Sequence, residues 1–174
     1  MSDPKVEKQH LSGQSATEKL RDLLQHFRSA MLTTGTRDGV RTRPMGIQGK
    51  AQEFEGSLWF FTDERSGKVA EIQGGAVTSL LCQSDEADSY LHLRGTASVV
   101  KDLAKMKELY TPIIKTWFPE GLDDPFLTLI RFDVESGDYW TSTGGMLQLL
   151  GAFVKASVTG RPGAGGEMGD VTLK

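Results

Sequence analysis

The stretch Ser89–Val100 restricts the fold more than any other feature of this sequence. Polar and apolar residues alternate along it, which is the pattern of a β-strand with one buried face. Gly95 stands near its middle, and a glycine inside a strand marks a bulge or a tight bend, as at the corner of a barrel. The sequence therefore predicts a sheet that curves sharply.

Other strand-like runs lie on both sides of this stretch, separated by residues that favour turns. The dipeptide Asp38-Gly39 lies between the first two runs and predicts a hairpin, because glycine tolerates a positive φ. Pro44 lacks an N–H donor, so the second run is predicted to be an edge strand or to break there. The runs cover 30–35, 40–47, 58–61, 76–83, 126–135 and 137–141.

Helical spacing of apolar residues appears between and beside the strands. The capping-box pattern Ser15-Ala-Thr-Glu18 predicts the start of a first helix. Asp102 is predicted to cap another helix, with Leu103 on its apolar side. A further helix is predicted over 146–156. The fold class is therefore mainly β (α+β), a small barrel of six to seven strands with flanking helices.

Composition divides the chain into three parts. Residues 1–14 are polar and are predicted to form a flexible arm, and the Gly-rich residues 159–174 a flexible tail. The segment 15–158 is predicted to be one domain.

The overall charge and hydropathy exclude several classes of partner. A net charge of −3 and a pI near 5.6 argue against nucleic-acid binding. The N-terminal residues lack an apolar leader, and no run is long enough to span a membrane, so a cytoplasmic location is expected. The single cysteine, Cys82, cannot form an internal disulfide and is predicted to be a small buried residue.

Motifs for metal, hydrolytic and nucleotide sites are missing. The three histidines, His10, His26 and His92, are scattered, and none has a cysteine at ligand spacing, so no metal site is predicted. The sequence also lacks a nucleophile elbow, a Walker loop and a Rossmann glycine motif. A spatial pairing of Cys82 with a distant histidine stays open.

The segment 58–72 carries a more positive signal. An apolar strand ends at Thr62, and Ser66 and Gly67 open a short helix with Lys68 in its first turn. Hydroxyls, a cation and a helix N-terminus together suit an anion such as phosphate. An ordinary strand–loop–helix corner with an exposed lysine is the competing interpretation, and from this segment alone it ranks first.

Basic and aromatic residues elsewhere favour a phosphate ligand that has a flat ring. Arg41 and Arg43 share one face of a strand, although a solvated face is a fair alternative. The guanidinium of Arg43 would suit the phosphate. Trp140, with Trp59 or Trp117, could stack on a ring. Flavin mononucleotide (FMN) requires this combination.

These residues occur in the order found in a known family. The sequence resembles the pyridoxamine 5'-phosphate oxidase-like FMN-binding split barrels, most closely their general stress protein 26 branch, over about residues 15–158. The segments that carry the resemblance are Thr42-Arg-Pro-Met45, Leu58-Trp-Phe-Phe-Thr62 with Ser66-Gly-Lys68, Tyr90 to Gly95, Trp117-Phe-Pro-Glu-Gly-Leu-Asp-Asp-Pro125 and Asp138-Tyr-Trp140.

The resemblance implies a split β-barrel of antiparallel strands that forms a homodimer, with two flavin sites at the subunit interface. FMN is the implied cofactor and FAD the alternative. Trp140 would reach the flavin from the partner subunit, Arg43 would lie near the phosphate or ribityl chain, and Ser66 with Lys68 would bind the phosphate. The cofactor-binding residues expected on this basis are Arg43, Pro44, Met45, Phe61, Thr62, Ser66, Gly67, Lys68 and Trp140.

The sequence departs from the oxidase pattern at three places. Gly67 stands where the oxidases have an arginine before the phosphate-binding lysine, and Tyr90 where they have a glutamine. Thr141-Ser-Thr-Gly-Gly145 replaces the Arg and His pair that holds the vitamin phosphate. Oxidation of pyridoxine phosphate is therefore not expected.

The function implied by the resemblance is that of a flavin-binding general stress protein, with flavin-dependent oxidoreductase activity as one form. A non-catalytic flavin carrier or sensor is the alternative, and a split barrel that binds haem or a deazaflavin is a third. No residue stands out as a catalytic acid or base.

Overall fold

The computed structural model describes residues 8–142 and 166–173. Their strands form one eight-stranded sheet with three flanking α-helices, which confirms the mainly β fold class, although the six to seven strands predicted are eight. The strands are β1 Lys8–Ser12, β2 Ser29–Thr36, β3 Gly39–Gly46, β4 Ser57–Asp63, β5 Val77–Ser84, β6 Ser89–Val100, β7 Leu127–Thr141 and β8 Glu167–Thr172. The helices are α1 Gly13–Leu24, α2 Gly67–Gln73 and α3 Leu103–Leu109, with 3-10 turns at Ala51–Glu53, Pro112–Thr116 and Gly121–Asp123.

The strand order is β1-β8-β7-β6-β5-β2-β3, and β4 pairs separately with β7. The predicted hairpin is confirmed as β2 and β3, and β3, which contains Pro44, is an edge strand. Two separate strands were predicted over 126–135 and 137–141, but the structure has the single strand β7 there. Gly137 continues this strand and pairs with Leu93. The long β7 strand thus pairs with β6 on one side, and with both β4 and β8 on the other.

The bend predicted at Gly95 is confirmed. The register between β6 and β7 shifts between Arg94 and Gly95, which is a β-bulge. Alanine could not replace this glycine freely, because a Cβ atom there would overlap the carbonyl oxygen of Asp133. The bulge lets one long strand follow the curvature of the barrel.

The prediction that residues 1–14 and 159–174 are flexible is wrong in part, because these segments contain β1 and β8. These strands pair in parallel, and β8 also pairs with β7. Val171 is fully buried, and the Asp170 carboxylate forms an ion pair with Lys8 at 3.1 Å and lies 2.7 Å from His10 Nδ1. The pairing involves segments about as far apart as the sequence allows, so no local periodicity reveals it. The helix predicted over 146–156 lies outside the described residues.

Two details of the helices differ from the predictions. The capping box is wrong: α1 begins at Gly13, and the Ser15 hydroxyl donates instead to the Ser12 carbonyl at 2.8 Å. In α3 the Asp102 cap is confirmed, since its carboxylate accepts from the Ala104 and Lys105 amides. Leu103, however, is 54% exposed, because Met106 and Leu109 form the buried face.

The main core lies between the sheet and α1. It contains the apolar face of α1 and inward-facing side chains of the strands, among them Leu32, Leu80, Leu93 and Phe132. Cys82 is fully buried there, as predicted, and burial raises the pKa of its thiol to about 12. None of the helices in residues 8–142 and 166–173 has the length and apolar character that a membrane crossing requires.

Candidate cofactor site

The corner between β4 and α2 is held by Asp63, the last residue of the strand. Its carbonyl accepts from the Ser66 amide at 3.0 Å, and its carboxylate accepts from the Arg65 amide at 2.7 Å and the Arg65 side chain. The hydrogen bonds from Arg65 lower the pKa of the Asp63 carboxyl to about 2. The corner thus places Ser66 just before α2. Because α2 has only seven residues, side-chain groups rather than a helix dipole are what this corner offers an anion.

Thr62, Ser66 and Lys68 come together at this corner. The Lys68 ammonium donates to the Thr62 hydroxyl at 3.0 Å, and that hydroxyl lies 3.4 Å from the Ser66 hydroxyl. Burial, and then the positive charge of Arg43, lower the pKa of Lys68. Lys68 is therefore half-buried and not a fully exposed lysine, and whether the corner binds a ligand stays a prediction.

Arg43 and Arg41 share a face of β3, as predicted, and both bind Glu71 of α2. Arg43 Nη2 lies 2.7 Å from one carboxylate oxygen and Arg41 Nη1 lies 3.2 Å from the other. Arg43 also donates to the Thr34 hydroxyl at 2.5 Å, which donates to Glu71 at 2.6 Å. The hydrogen bond from Thr34, followed by that from Arg43, holds the pKa of Glu71 below its usual value.

Sequence reasoning did not nominate Glu71. Its only signal was its position one helical turn after Lys68, opposite a strand with two arginines. The side chain of Arg43 is 20% exposed and that of Arg41 is 69% exposed, so a solvated face describes Arg41 alone. Gly67 lies beside this cluster: a Cβ atom there would be 4.0 Å from Arg41 Nη1. The Arg41 guanidinium thus lies close to the position where the oxidase pattern has an arginine.

A cavity of about 720 Å³ opens beside Lys68. Its lining includes five of the expected cofactor residues, and residues of the segment 111–118, of which the sequence suggested only Trp117 as a partner for a ring. Arg43, Ser66 and Gly67 are not in the lining. The Ser66 hydroxyl, however, lies 3.4 Å from the hydroxyl of Thr62, which does line the cavity. The expected residues in the lining are Pro44, Met45, Phe61, Thr62 and Lys68.

The three tryptophans lie in different places. Trp117 lines the cavity, whereas Trp59 lines another pocket, where the Lys105 ammonium lies 5.2 Å from its ring centre. Trp140 lies apart from the cavity, paired with Tyr90 of β6 and Met168 of β8. One chain alone therefore does not bring Trp140 to the Lys68 cavity, and its contribution to a partner's site stays a prediction.

Apolar side chains form most of the cavity surface. Among the described residues, no group of three or more His, Cys, Asp or Glu side chains could hold a metal ion. The arrangement can bind a phosphate through Lys68, Thr62 and Ser66, and an apolar ring system against Pro44, Met45 and Phe61.

The chain is similar to several known proteins. A structure of a general stress protein 26 from Jannaschia sp. CCS1 is 27% identical, with a TM-score of 0.77, and the match covers 90% of this chain and 97% of that one. The general stress FMN/FAD binding protein of Xanthomonas citri is 26% identical with a TM-score of 0.64, over 75% of this chain and 92% of that one.

A curated relative, the protein bli-3 of Neurospora crassa, is 25% identical over 113 residues, which are 60% of this chain and 54% of bli-3. The chain thus spans about half the length of that relative. The family model described as pyridoxamine 5'-phosphate oxidase like matches residues 15–163. The chain therefore belongs to the pyridoxamine 5'-phosphate oxidase-like family.

Proposed function

We propose that this chain binds FMN in the Lys68 cavity, with FAD as the alternative flavin. The observation that carries the proposal is the Lys68 ammonium group, which is partly desolvated and forms no ion pair among the described residues. The Asp63 and Glu71 carboxylates attract this half-buried ammonium group without forming an ion pair with it, and a phosphate bound here would give it a direct anionic partner. The cavity volume is also within the range of small-molecule sites, roughly 300–1,000 Å³.

Each group in the site has a role in this proposal. Lys68 and the hydroxyls of Thr62 and Ser66 bind the phosphate, and Pro44 and Met45 lie along the ring system. Arg43 keeps the Glu71 carboxylate neutralised, so that this negative charge does not repel the phosphate. Arg41, beside Gly67, adds an exposed cation close to the phosphate-binding corner.

Bound flavin would supply one- or two-electron transfer, and the protein would position it and shield it from water. We infer a general stress protein, supported by the names of its structural relatives, and propose flavin-dependent oxidoreductase activity for it because a bound flavin would supply that chemistry. The cytoplasm is the proposed location, since a lone reduced cysteine is ordinary there.

The absorption spectrum of the purified protein tests the choice of cofactor. Flavin bands are expected, while a Soret band would indicate haem instead. Steady-state assays with NADH or NADPH then separate an oxidoreductase from a carrier. Turnover proportional to protein concentration supports the enzyme, and flavin reduced no faster than free flavin supports the carrier or sensor.

A homodimer is the proposed assembly, supported by an exposed apolar patch on the outer face of the sheet. Strand register places Met31, Leu81, Tyr90 and Trp140 on the same face of β2, β5, β6 and β7. Each is between 37% and 47% exposed in the single chain. Patches of this kind commonly mark interfaces.

Leu81→Glu is expected to convert the dimer into a monomer, because it places a charge in the middle of this patch. Analytical ultracentrifugation would show the halved mass, and FMN affinity would fall because Trp140 of the partner is withdrawn. The matched control is Val40→Glu, an exposed apolar residue on the edge strand β3. A monomeric wild-type protein that binds FMN normally would contradict the proposal.

FMN affinity is expected to decrease as the pH rises towards 10.5, the ordinary pKa of lysine. Burial lowers the pKa of Lys68 in the free protein, and a bound phosphate dianion would raise it again. Binding therefore takes up a proton above the lowered pKa, and affinity declines from that pH upwards. Fluorescence titration of FMN between pH 7 and 10 measures this decline. Lys68→Arg should remove it, since arginine stays charged; a similar decline in that variant would contradict the assignment.

A further inference from the structure

One wall of the cavity is apolar and belongs to no part of the flavin site proposed above. It is formed by the turn Pro112–Thr116 and the two residues that follow it. Ile113, Ile114, Trp117 and Phe118 line the cavity from this side. Ile113 is 61% exposed and Trp117 is 68% exposed, which is unusual for large apolar side chains that have a core nearby.

The backbone of this wall is well anchored. Ile114 is buried and packs in a second core cluster with Phe61, Leu109 and Leu127. The amides of Trp117 and Phe118 both donate to the Ile114 carbonyl, at 3.1 and 2.9 Å. The Trp117 indole is therefore exposed on a segment whose backbone is held in place. A ligand that covers the indole does not have to order a flexible loop.

The side chains with which this wall lines the cavity are uncharged, since Lys115, the one charged residue of the segment 112–118, is not in the lining. All the ionisable residues in the cavity lining, Arg28, Asp63 and Lys68, come from other segments. An anionic group placed on the wall would leave water without gaining a partner. A flat apolar ring, in contrast, would bury the indole face and the Ile113 side chain at little entropic cost, because tryptophan has only two side-chain torsions.

We propose that Ile113 and Trp117 bind the planar, uncharged aromatic ring of a second small molecule, which is the substrate presented to the flavin. This inference rests on the proposed flavin function. The adenine of FAD is a less suitable occupant, because FAD brings a second phosphate and the wall places no cation in the cavity lining. The site thus accepts an uncharged ring and disfavours a phosphorylated one.

Calorimetric titration of the oxidised, FMN-loaded protein tests the proposal. The probes are coumarin, which is planar and uncharged, and coumarin-3-carboxylate, its anionic analogue. Coumarin is expected to bind, Trp117→Ala to weaken its binding about 10-fold or more, and Trp117→Phe to retain most of it. The carboxylate should bind more weakly than coumarin to the wild-type protein. The matched control is Leu103→Ala, which removes an exposed apolar side chain outside the cavity lining and should change nothing.

Several results would overturn the proposal. Coumarin that fails to bind, or that binds Trp117→Ala as well as the wild type, would remove the ring site. A loss of FMN affinity in Trp117→Ala would place the indole against the flavin itself, and a selective loss of FAD affinity would assign the wall to adenine. Normal FMN binding without any effect of Trp117 on coumarin refutes this inference alone. A protein that binds no flavin refutes the proposed function as well.

Discussion

Gly95→Ala is expected to lower the free energy of unfolding by about 3 kcal/mol or more. The added methyl group would overlap the carbonyl oxygen of Asp133 and lie 3.0 Å from the Phe132 ring. Both neighbours belong to β7, which is held between other strands and cannot move aside. The overlap could be relieved only if the bulge opened, and β6 and β7 would then lose their pairing over several residues.

Urea denaturation followed by circular dichroism measures the loss. Gly35→Ala is the matched control, since it also adds a methyl group to a glycine in a strand. Its nearest neighbours there are atoms of Val77 at 3.7 and 3.8 Å, which is ordinary contact. The control should stay within about 1 kcal/mol of the wild type. Equal stabilities of the two variants would show that the bulge is not the rigid corner described above.

The double substitution Lys68→Ala with Arg43→Ala is expected to weaken FMN binding by about 3 kcal/mol or more, which is over 100-fold in Kd. Charge-assisted hydrogen bonds contribute roughly 1.5–3 kcal/mol each, and the Lys68 ammonium is the nearest cation to the hydroxyl pair. Quenching of FMN fluorescence measures the affinity. Lys101→Ala is the control, because that lysine is exposed and binds Glu64 instead.

The two positions are expected to act differently. Removal of Lys68 deletes a direct phosphate ligand, whereas removal of Arg43 exposes the Glu71 carboxylate and lets it repel the phosphate. Glu71→Gln should therefore restore much of the affinity lost in Arg43→Ala, and none of that lost in Lys68→Ala. An unchanged Kd in the double variant would contradict the assignment of the flavin phosphate to this corner.

The parts of the fold that were predicted are those set by neighbouring residues. Alternation around Gly95, the Asp38-Gly39 turn and the Asp102 cap each depend on interactions within a few positions. The pairing of β1 with β8 was not predicted, because it joins residues about 160 positions apart and depends on backbone hydrogen bonds and the ion pair between Lys8 and Asp170.

In the candidate site, too, contacts between groups close together in sequence were predicted and contacts between distant ones were not. The resemblance identified Thr62, Ser66 and Lys68 as neighbours, and the structure brings them together. It gave no indication of Glu71, whose importance arises only when α2 packs beside β3. Trp117 was one of three tryptophans suggested for stacking, and its place in the cavity lining could not be predicted, because it depends on the return of the segment after α3 to the cavity.

The position of β8 has a consequence for the integrity of the sheet. This strand covers the side of β7 that runs from Ser136 to Thr141, and it places Met168 directly beside Trp140. Without β8, that stretch of β7 would present a row of unsatisfied amides and carbonyls next to an exposed aromatic side chain. Such an edge is a template on which another extended chain can add. The strand that sequence composition assigned to a tail thus keeps this stretch of β7 from being an open edge.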